Sequence, residues 1–417
     1  MRILIVGSGG REHALAWRLQ GEAEVIVTPG NAGIAADCET FPVKVEDRAG
    51  LMALADRLTP NLTVVGPEDP LIAGLADQLR LAGHRVVGPG ADGAALEGSK
   101  ALSKDLMAAA GIPTAEFQVF RNAASASDYV AARFGKGHGV AVKASGAALG
   151  KGVVVCDTPD EAYEAIRMML VDRELGEAGS QIVVEDRLVG FEFSLLTLAN
   201  EAGFWSLPVA MDHKRARDGD RGPNTGGMGT VSPVASVPEA MVRETEARVV
   251  APALAEMARR GIEFRGVLFS GLLVQDGVPY CLEYNVRFGD PETQSVMRRL
   301  GPGLAEALRA CAAGEPIPAV PVLPEAAVTV VMASLGYPGR YATGLPITIG
   351  PLPPEVVVFH SGTALATDGT LVSAGGRVLG VSATGATVPD AQARAYAGVA
   401  AIDAPGLFCR GDIGAKS

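Results

Sequence analysis

The chain has 417 residues, 48% hydrophobic and 20% charged, a balance that supports buried cores and excludes extended disorder as the main state. Glycine (52) and proline (27) are abundant without any Gly-X-Y period, which excludes a collagen-like rod and places the surplus in turns and close-approach loops. The formal net charge of -11 repels nucleic acid in bulk, so no nucleic-acid partner is expected, and an anionic small molecule would need a local cationic pocket.

Residues 3–6 are a short apolar run that predicts a strand, followed by a glycine turn at 7–10 and a helix over 11–20. Strands are predicted at 25–27, 62–65 and 85–87, with helices over 49–58 and 71–82 between and after them. This alternation predicts an α/β fold with a parallel sheet over residues 1–100. Residues 99–110 read as a helix stopped by Gly111 and Pro113. A second module follows. It has strands at 140–143 and 153–156 around a glycine-rich loop, a helix over 159–170, and strands at 182–185 and 192–198. Residues 207–233 carry Pro, Gly, Asp and Arg without periodicity and read as a long functional loop. A helix over 239–260, a hairpin of 267–274 with 280–284, a helix over 304–313 and a proline-rich linker at 315–324 come next. The remainder reads as β-rich with one helix at 391–402.

The domains expected are therefore 1–100, then 101–320 with a mobile lid at about 121–187, then 325–417. The first apolar run is too short for a secretory signal, and no run is long enough to span a membrane. Five widely spaced cysteines without a CxxC pair argue against a disulfide framework. A cytoplasmic location is expected.

Four clusters carry chemistry. The strand, glycine turn and helix start at 3–11 make an anion site from free N–H groups and the positive helix end. A dinucleotide fingerprint does not fit, because its third glycine position is Glu12 and no ribose-binding acid stands at 28–33. The loop from Lys143 to Val153 offers glycines for close approach to a polyphosphate and lysines to neutralise it. Its Gly-Lys is followed by Gly152, so it is not a Walker A loop, and alone it also reads as a surface hairpin. Strand alternation puts Glu283 and Asn285 on one face, hard oxygen ligands suited to Mg²⁺ beside phosphates, with Arg287 next on the same side. Alone, that pair reads more readily as a solvated strand edge. The run 212–221 concentrates charge ahead of a glycine-dense segment at 222–229, and His213 within it reads as a hydrogen-bonded loop histidine.

Taken in order, these stretches resemble the phosphoribosylamine–glycine ligases (glycinamide ribonucleotide synthetases), ATP-grasp enzymes of purine biosynthesis. The matching runs include Gly7-Ser8-Gly9-Gly10-Arg11-Glu12-His13-Ala14, Pro29-Gly30-Asn31-Ala32-Gly33, Val65-Gly66-Pro67-Glu68 and Leu96-Glu97-Gly98-Ser99-Lys100. Further on come Asp212-His213-Lys214-Arg215, Arg287-Phe288-Gly289-Asp290-Pro291-Glu292-Thr293-Gln294 and Gly375-Gly376-Arg377-Val378. The resemblance implies a multi-domain ATP-grasp architecture and an ATP-dependent joining of glycine to 5-phosphoribosylamine through glycyl phosphate. Those small molecules are the expected partners, and a monomer is implied. Lys104 and Lys143 would meet ATP phosphates beneath a loop carrying Ser145, Gly146, Gly150, Lys151 and Gly152. Glu185, Asp186 and Leu188 would form the adenine hinge, Glu192 would accept from the ribose, and Glu283 and Asn285 would hold Mg²⁺ or Mn²⁺. Arg287, Asp212 and Lys214 would be catalytic. Gly9, Gly10, Asn31, Pro67, Glu68, Thr225 and Gly226 would receive phosphoribosylamine. Ser145 replaces an aspartate usual in the family, removing one negative charge near the phosphates, and Arg187 stands where an aromatic is common. The alternatives are another ATP-grasp carboxylate–amine ligase of purine metabolism, disfavoured by the Asp-His-Lys-Arg run, and a silent nucleotide binder, disfavoured by intact Glu283, Asn285, Lys143 and Arg287.

Overall fold

Ile3, Leu4, Ile5 and Val6 are buried on both faces, as a continuous apolar run at the centre of a parallel sheet requires. In the computed structural model, which describes residues 1–146 and 152–415, Arg2–Gly7 pairs with Glu24–Pro29 on one side and Leu62–Val65 on the other. Glu39–Thr40 and Val86–Val87 add the two edges. The strand order reverses beside Arg2–Gly7, and in such sheets a crevice opens there at the carboxyl ends of the strands.

Glu12 borders that crevice. Glu12, at the third position of helix Gly10–Leu19, turns its carboxylate back to accept the Gly9 N–H at 2.7 Å and the Arg11 Nε–H at 2.5 Å. A Cβ on Gly7 or Gly66 would overlap this carboxylate. The helix predicted over 71–82 is two helices, Glu68–Ile72 and Leu75–Leu81, because Gly74 between them takes a left-handed φ of 82°. Helices Ala32–Asp37, Ala91–Gly98 and Ala123–Gly135 were not predicted; their alanine, serine and glycine content gives little periodic contrast.

The middle of the chain builds two antiparallel sheets. The first runs Phe117–Phe120, Ile182–Asp186, Val140–Ala144, Val153–Cys156. The second runs Gly203–Ser206, Phe191–Asn200, Gly266–Gln275, Val278–Asn285. The predicted hairpin is present, and its turn residues Asp276 and Gly277 take φ of 53° and 78°, the left-handed pair a two-residue hairpin needs. The helix over 239–260 is interrupted by a π-helical turn at Glu246–Val250. Pro252 lacks the N–H that would continue the α-helical ladder there.

Residues 207–233 are not the structureless loop their composition predicts. Met211–Asp212 pairs with Gly229–Ser232, which pairs in turn with Ala326–Ser334 of the C-terminal sheet. Arg215–Arg217 and Arg221–Asn224 form a ribbon between them. These strands are short and polar, and their order comes from the buried neighbours Val328 and Val330 rather than from their own sequence. The C-terminal helix is Val388–Ala400, starting earlier than predicted because Thr387 and Asp390 form a capping box.

One apolar cluster joins Ile3, Ile5 and Leu15 to Leu196, Leu198 and Phe269 through Leu304 and Leu308 of helix Leu304–Ala313. The N-terminal sheet is thereby fixed to the central one. At the junction with the C-terminal sheet, His13 Nδ1 accepts the His360 N–H at 2.8 Å, and Asn31 Nδ2 donates to the His360 carbonyl at 2.8 Å. Burial first, then His13, pushes the His360 imidazole down from 6.5 to about 4. The unfolded chain therefore takes up this proton near pH 6.5, while the folded chain resists it until about 4. Stability should fall as pH drops through that window, by up to about 3 kcal/mol from this group. Urea unfolding at pH 7 and pH 4.5 measures the slope, and His360→Asn should flatten it.

Candidate functional site

A cavity of about 770 Å³ opens between the two antiparallel sheets, a size suited to a small molecule. Its upper wall is strand Val140–Ala144 with Ile182–Asp186. Alternation along the first aims Lys143 inward. Helix Lys100–Ala109, capped by Ser99, brings Lys104 beside it. Glu185 stands between the two ammonium groups. Lys104 Nζ lies 2.5 Å from its carboxylate, and Lys143 pairs with the other oxygen. All three side chains are nearly inaccessible. Burial works against the Glu185 charge, but Lys143 and Lys104 outweigh it and hold the carboxyl below its ordinary value. Burial likewise opposes the Lys143 charge, and Glu185 and Glu283 outweigh it. Thr114 Oγ accepts from Lys104 at 2.5 Å and donates to the Cys281 carbonyl, tying this wall to the opposite sheet.

The lower wall is strand Val278–Asn285. Its alternation puts Glu283 and Asn285 on the cavity side, as predicted. Among the described residues the Glu283 carboxylate makes no hydrogen bond or ion pair; burial opposes its charge, yet Lys100, Lys143, Lys214 and Arg287 keep it ionised. Asn285 Oδ1 accepts from Arg287 Nη2 at 3.3 Å. An unpaired carboxylate next to an amide oxygen fits a divalent cation, with only two protein ligands; no three His, Cys, Asp or Glu side chains converge on one point among the described residues. Arg287 is fastened by Glu97 at 2.8 Å and Glu68 at 3.3 Å.

At the far end lie Asp212, Lys214 and Glu292. The Asp212 side chain is 4% exposed and pairs with Lys214 at 3.3 Å through one oxygen, while its other oxygen has no hydrogen-bond partner among the described residues. Glu292 accepts from Ser194 Oγ at 3.0 Å. Burial raises the carboxyl pKa of both acids, and for Glu292 the Asp212 charge adds to it. Burial opposes the Lys214 charge, but Asp212, Glu192, Glu292 and Glu283 outweigh it. His213 is buried, its Nδ1 3.2 Å from the Gly229 carbonyl, the packed loop histidine expected.

The cavity thus brings together Lys104, Lys143, Gly152, Glu185, Asp186, Leu188, Glu192, Asp212, Lys214, Glu283, Asn285 and Arg287, with Glu68, Thr225 and Gly226. Ser145 and Gly146 do not line it. Ser145 Oγ accepts from Ala101 N at 3.1 Å and meets Ser99 Oγ, so it braces the start of the Lys104 helix. Gly150 and Lys151 lie outside the described residues. Gly9, Gly10, Asn31 and Pro67 are also off the lining. Asn31 caps Ala32–Asp37, with Oδ1 accepting from Gly33 and Ile34 at 3.0 Å each, and Gly9 lies against Asp290, which lines the cavity. The sequence assigns no site role to Lys100, Glu97, Asp290 and Glu292, although all four stand in runs that carry the family resemblance; Asp290 reads there as a helix N-cap, a position Pro291 takes in the fold. Arg377, from the C-terminal sheet, pairs with Asp290 at 3.2 Å and also donates to the Gly226 carbonyl.

A cleft gripped between two antiparallel sheets, with buried lysines on one wall and a carboxylate–amide pair on the other, is the architecture of an ATP-grasp enzyme. Family models agree along the chain: the phosphoribosylglycinamide synthetase N domain matches residues 1–97, its ATP-grasp (A) domain 98–293 and its C domain 327–416. The chain belongs to the phosphoribosylglycinamide synthetase family. It is 46% identical to a phosphoribosylamine–glycine ligase of Xylella fastidiosa over 99% of this chain and 96% of that protein. The crystal structure of a phosphoribosylamine–glycine ligase from Thermotoga maritima superposes with a TM-score of 0.85 at 34% identity, covering 99% of this chain and 100% of that one. A biotin carboxylase domain from Hydrogenobacter thermophilus, solved with MgADP, shares the fold at a TM-score of 0.75 and 14% identity, covering 98% and 91%.

Glu185→Gln would leave two buried ammonium groups facing each other without the carboxylate that pairs with both. It should lower stability by about 3 kcal/mol at neutral pH. Because the folded carboxyl sits below its ordinary 4.5, the contribution is present above that pH and lost as pH falls through the folded value. Denaturant unfolding of variant and parent across that range measures both.

Proposed function

We propose that the protein joins glycine to 5-phosphoribosylamine at the expense of ATP, giving glycinamide ribonucleotide, ADP and phosphate. The observation that carries this reading is the facing of Lys104 and Lys143 by Glu283 and Asn285 across one cleft, in a chain matched from end to end by one family. A carboxylate oxygen of glycine attacks the γ-phosphorus of ATP, and ADP departs. The amine of phosphoribosylamine then attacks the carbonyl carbon of glycyl phosphate, phosphate leaves, and the nitrogen sheds a proton. Both steps gather negative charge on phosphoryl oxygens, so fixed cations should carry most of the catalysis.

Lys104 and Lys143 serve as those cations on the upper wall. Asp186 and Leu188 flank the adenine end, and Glu192 accepts from the ribose. Glu283 and Asn285 would hold Mg²⁺ or Mn²⁺, which would supply positive charge against the phosphate oxygens. Arg287, kept in place by Glu97 and Glu68, faces the reacting carboxylate with Lys214 and Asp212. Glu68, Thr225 and Gly226 border the space for phosphoribosylamine, with Gly9 next to Asp290 and Gly10 against Gln294 and Ser361. Acyl phosphates hydrolyse, and the buried walls keep water off the intermediate. The reading includes a monomer working in the cytoplasm; no helix among the described residues is long and apolar enough to cross a membrane.

ADP release with ATP and Mg²⁺ should require both glycine and phosphoribosylamine. Turnover without glycine, or none with the full set, overturns the assignment. Glu283→Ala should cut the rate about a hundredfold or more while leaving thermal unfolding and circular dichroism near those of the parent. A near-normal rate would remove Glu283 from metal binding.

A further inference from the structure

Among the described residues Arg410 is one of the largest wholly buried side chains, and no step above uses it. Its Nε and Nη2 make a two-pronged pair with Asp412, each at 2.7 Å, and Nη2 reaches Asp220 at 2.9 Å. Its Nη1 donates to the carbonyl of Arg215 at 3.0 Å, the residue directly after Lys214. The segment around it continues the same contact. Gly411 N donates to Asp218 Oδ1 and Gly219 N to Asp412 Oδ2, both at 2.8 Å, and Gly414 N lies 3.5 Å from His213 Nε2. On its other side Lys214 is held by Thr225, whose N–H and hydroxyl donate to the Lys214 carbonyl at 2.8 and 2.9 Å.

We propose that Arg410 is a positioning residue that locks, from segment 409–414, the loop presenting Asp212 and Lys214 to the cleft. A planar guanidinium can satisfy two carboxylates and a carbonyl at once, which an ammonium on a flexible stem cannot. The charged run 212–221 is therefore fastened at both ends rather than free to sweep over a ligand. Asp212 and Lys214 lie at the glycine end of the cleft, whereas the ATP wall is built from Lys104, Lys143, Glu185 and Glu192 on other elements. Loosening the lock should disturb glycine and leave ATP alone. This kinetic consequence rests on the function proposed above; the lock itself does not.

The test is Arg410→Met in the full chain, followed by hydrogen exchange and steady-state kinetics. Exchange should speed up over 212–221 and stay unchanged over 182–200, and the KM for glycine should rise about tenfold with the KM for ATP unaltered. Arg410→Lys, which keeps the charge but not the fork, should fall between variant and parent. If Arg410→Met does not fold, Asp412→Asn removes one arm and should move both readouts the same way by less. Unchanged exchange over 212–221, or an equal loss for ATP and glycine, overturns the proposal. A parent chain that turns over without glycine overturns the functional reading, and the exchange comparison then decides the lock by itself.

Discussion

The cleft depends on one desolvated carboxylate. Two lysines aimed into a nearly dry wall would repel each other and, with no counter-charge, would be driven neutral. Glu185 opposes this by pairing with both: it holds the Lys143 ammonium above its ordinary value, while at Lys104 burial still outweighs it and the value falls. Such a triad gains little net stability, because desolvation offsets most of the Coulombic attraction. Its value is in placement: the ammonium groups sit at fixed points before any ligand arrives, and preorganised charge is what phosphoryl chemistry rewards.

Everything around the triad keeps its members in register. Lys143 and Glu185 lie on neighbouring strands of one sheet, Lys104 comes from a helix braced by Ser145, and Thr114 links that helix to the opposite wall. The opposite wall belongs to a sheet whose core is continuous with the N-terminal domain. The C-terminal sheet adopts two strands from the charged middle segment and sends Arg377 to the cleft's edge. The acidic chain thus assembles a local cationic site from residues far apart in sequence, as the net charge of -11 requires of an anion-binding protein.

Much of this was legible beforehand, and the reasons differ by residue. Glu283 and Asn285 were readable because strand alternation is a strict period of two. Lys143 was readable because a lysine closing an apolar strand needs a partner. That partner, Glu185, carries only a hinge role in the sequence, since pairing across a sheet leaves no mark in either strand alone. Ser145 was read as facing phosphate, and only the fold shows it turned toward helix Lys100–Ala109. The strands Met211–Asp212 and Gly229–Ser232 were invisible for a similar reason: their order comes from Ala326–Ser334, about a hundred residues later in the sequence. Alanine-rich helices such as Ala91–Gly98 offered too little contrast between faces to register as periodic.

The Glu12 carboxylate in the N-terminal crevice has a consequence for what this sheet can become. A parallel sheet with a strand-order reversal and a glycine turn has the makings of a nucleotide site, yet here the anion position is taken by a tethered group of the same chain. A tethered occupant competes at an effective concentration that a free anion in solution rarely matches. Glu12 therefore holds one donor of the turn permanently, and an anion arriving at residues 9–10 is left the remaining N–H groups of the helix start.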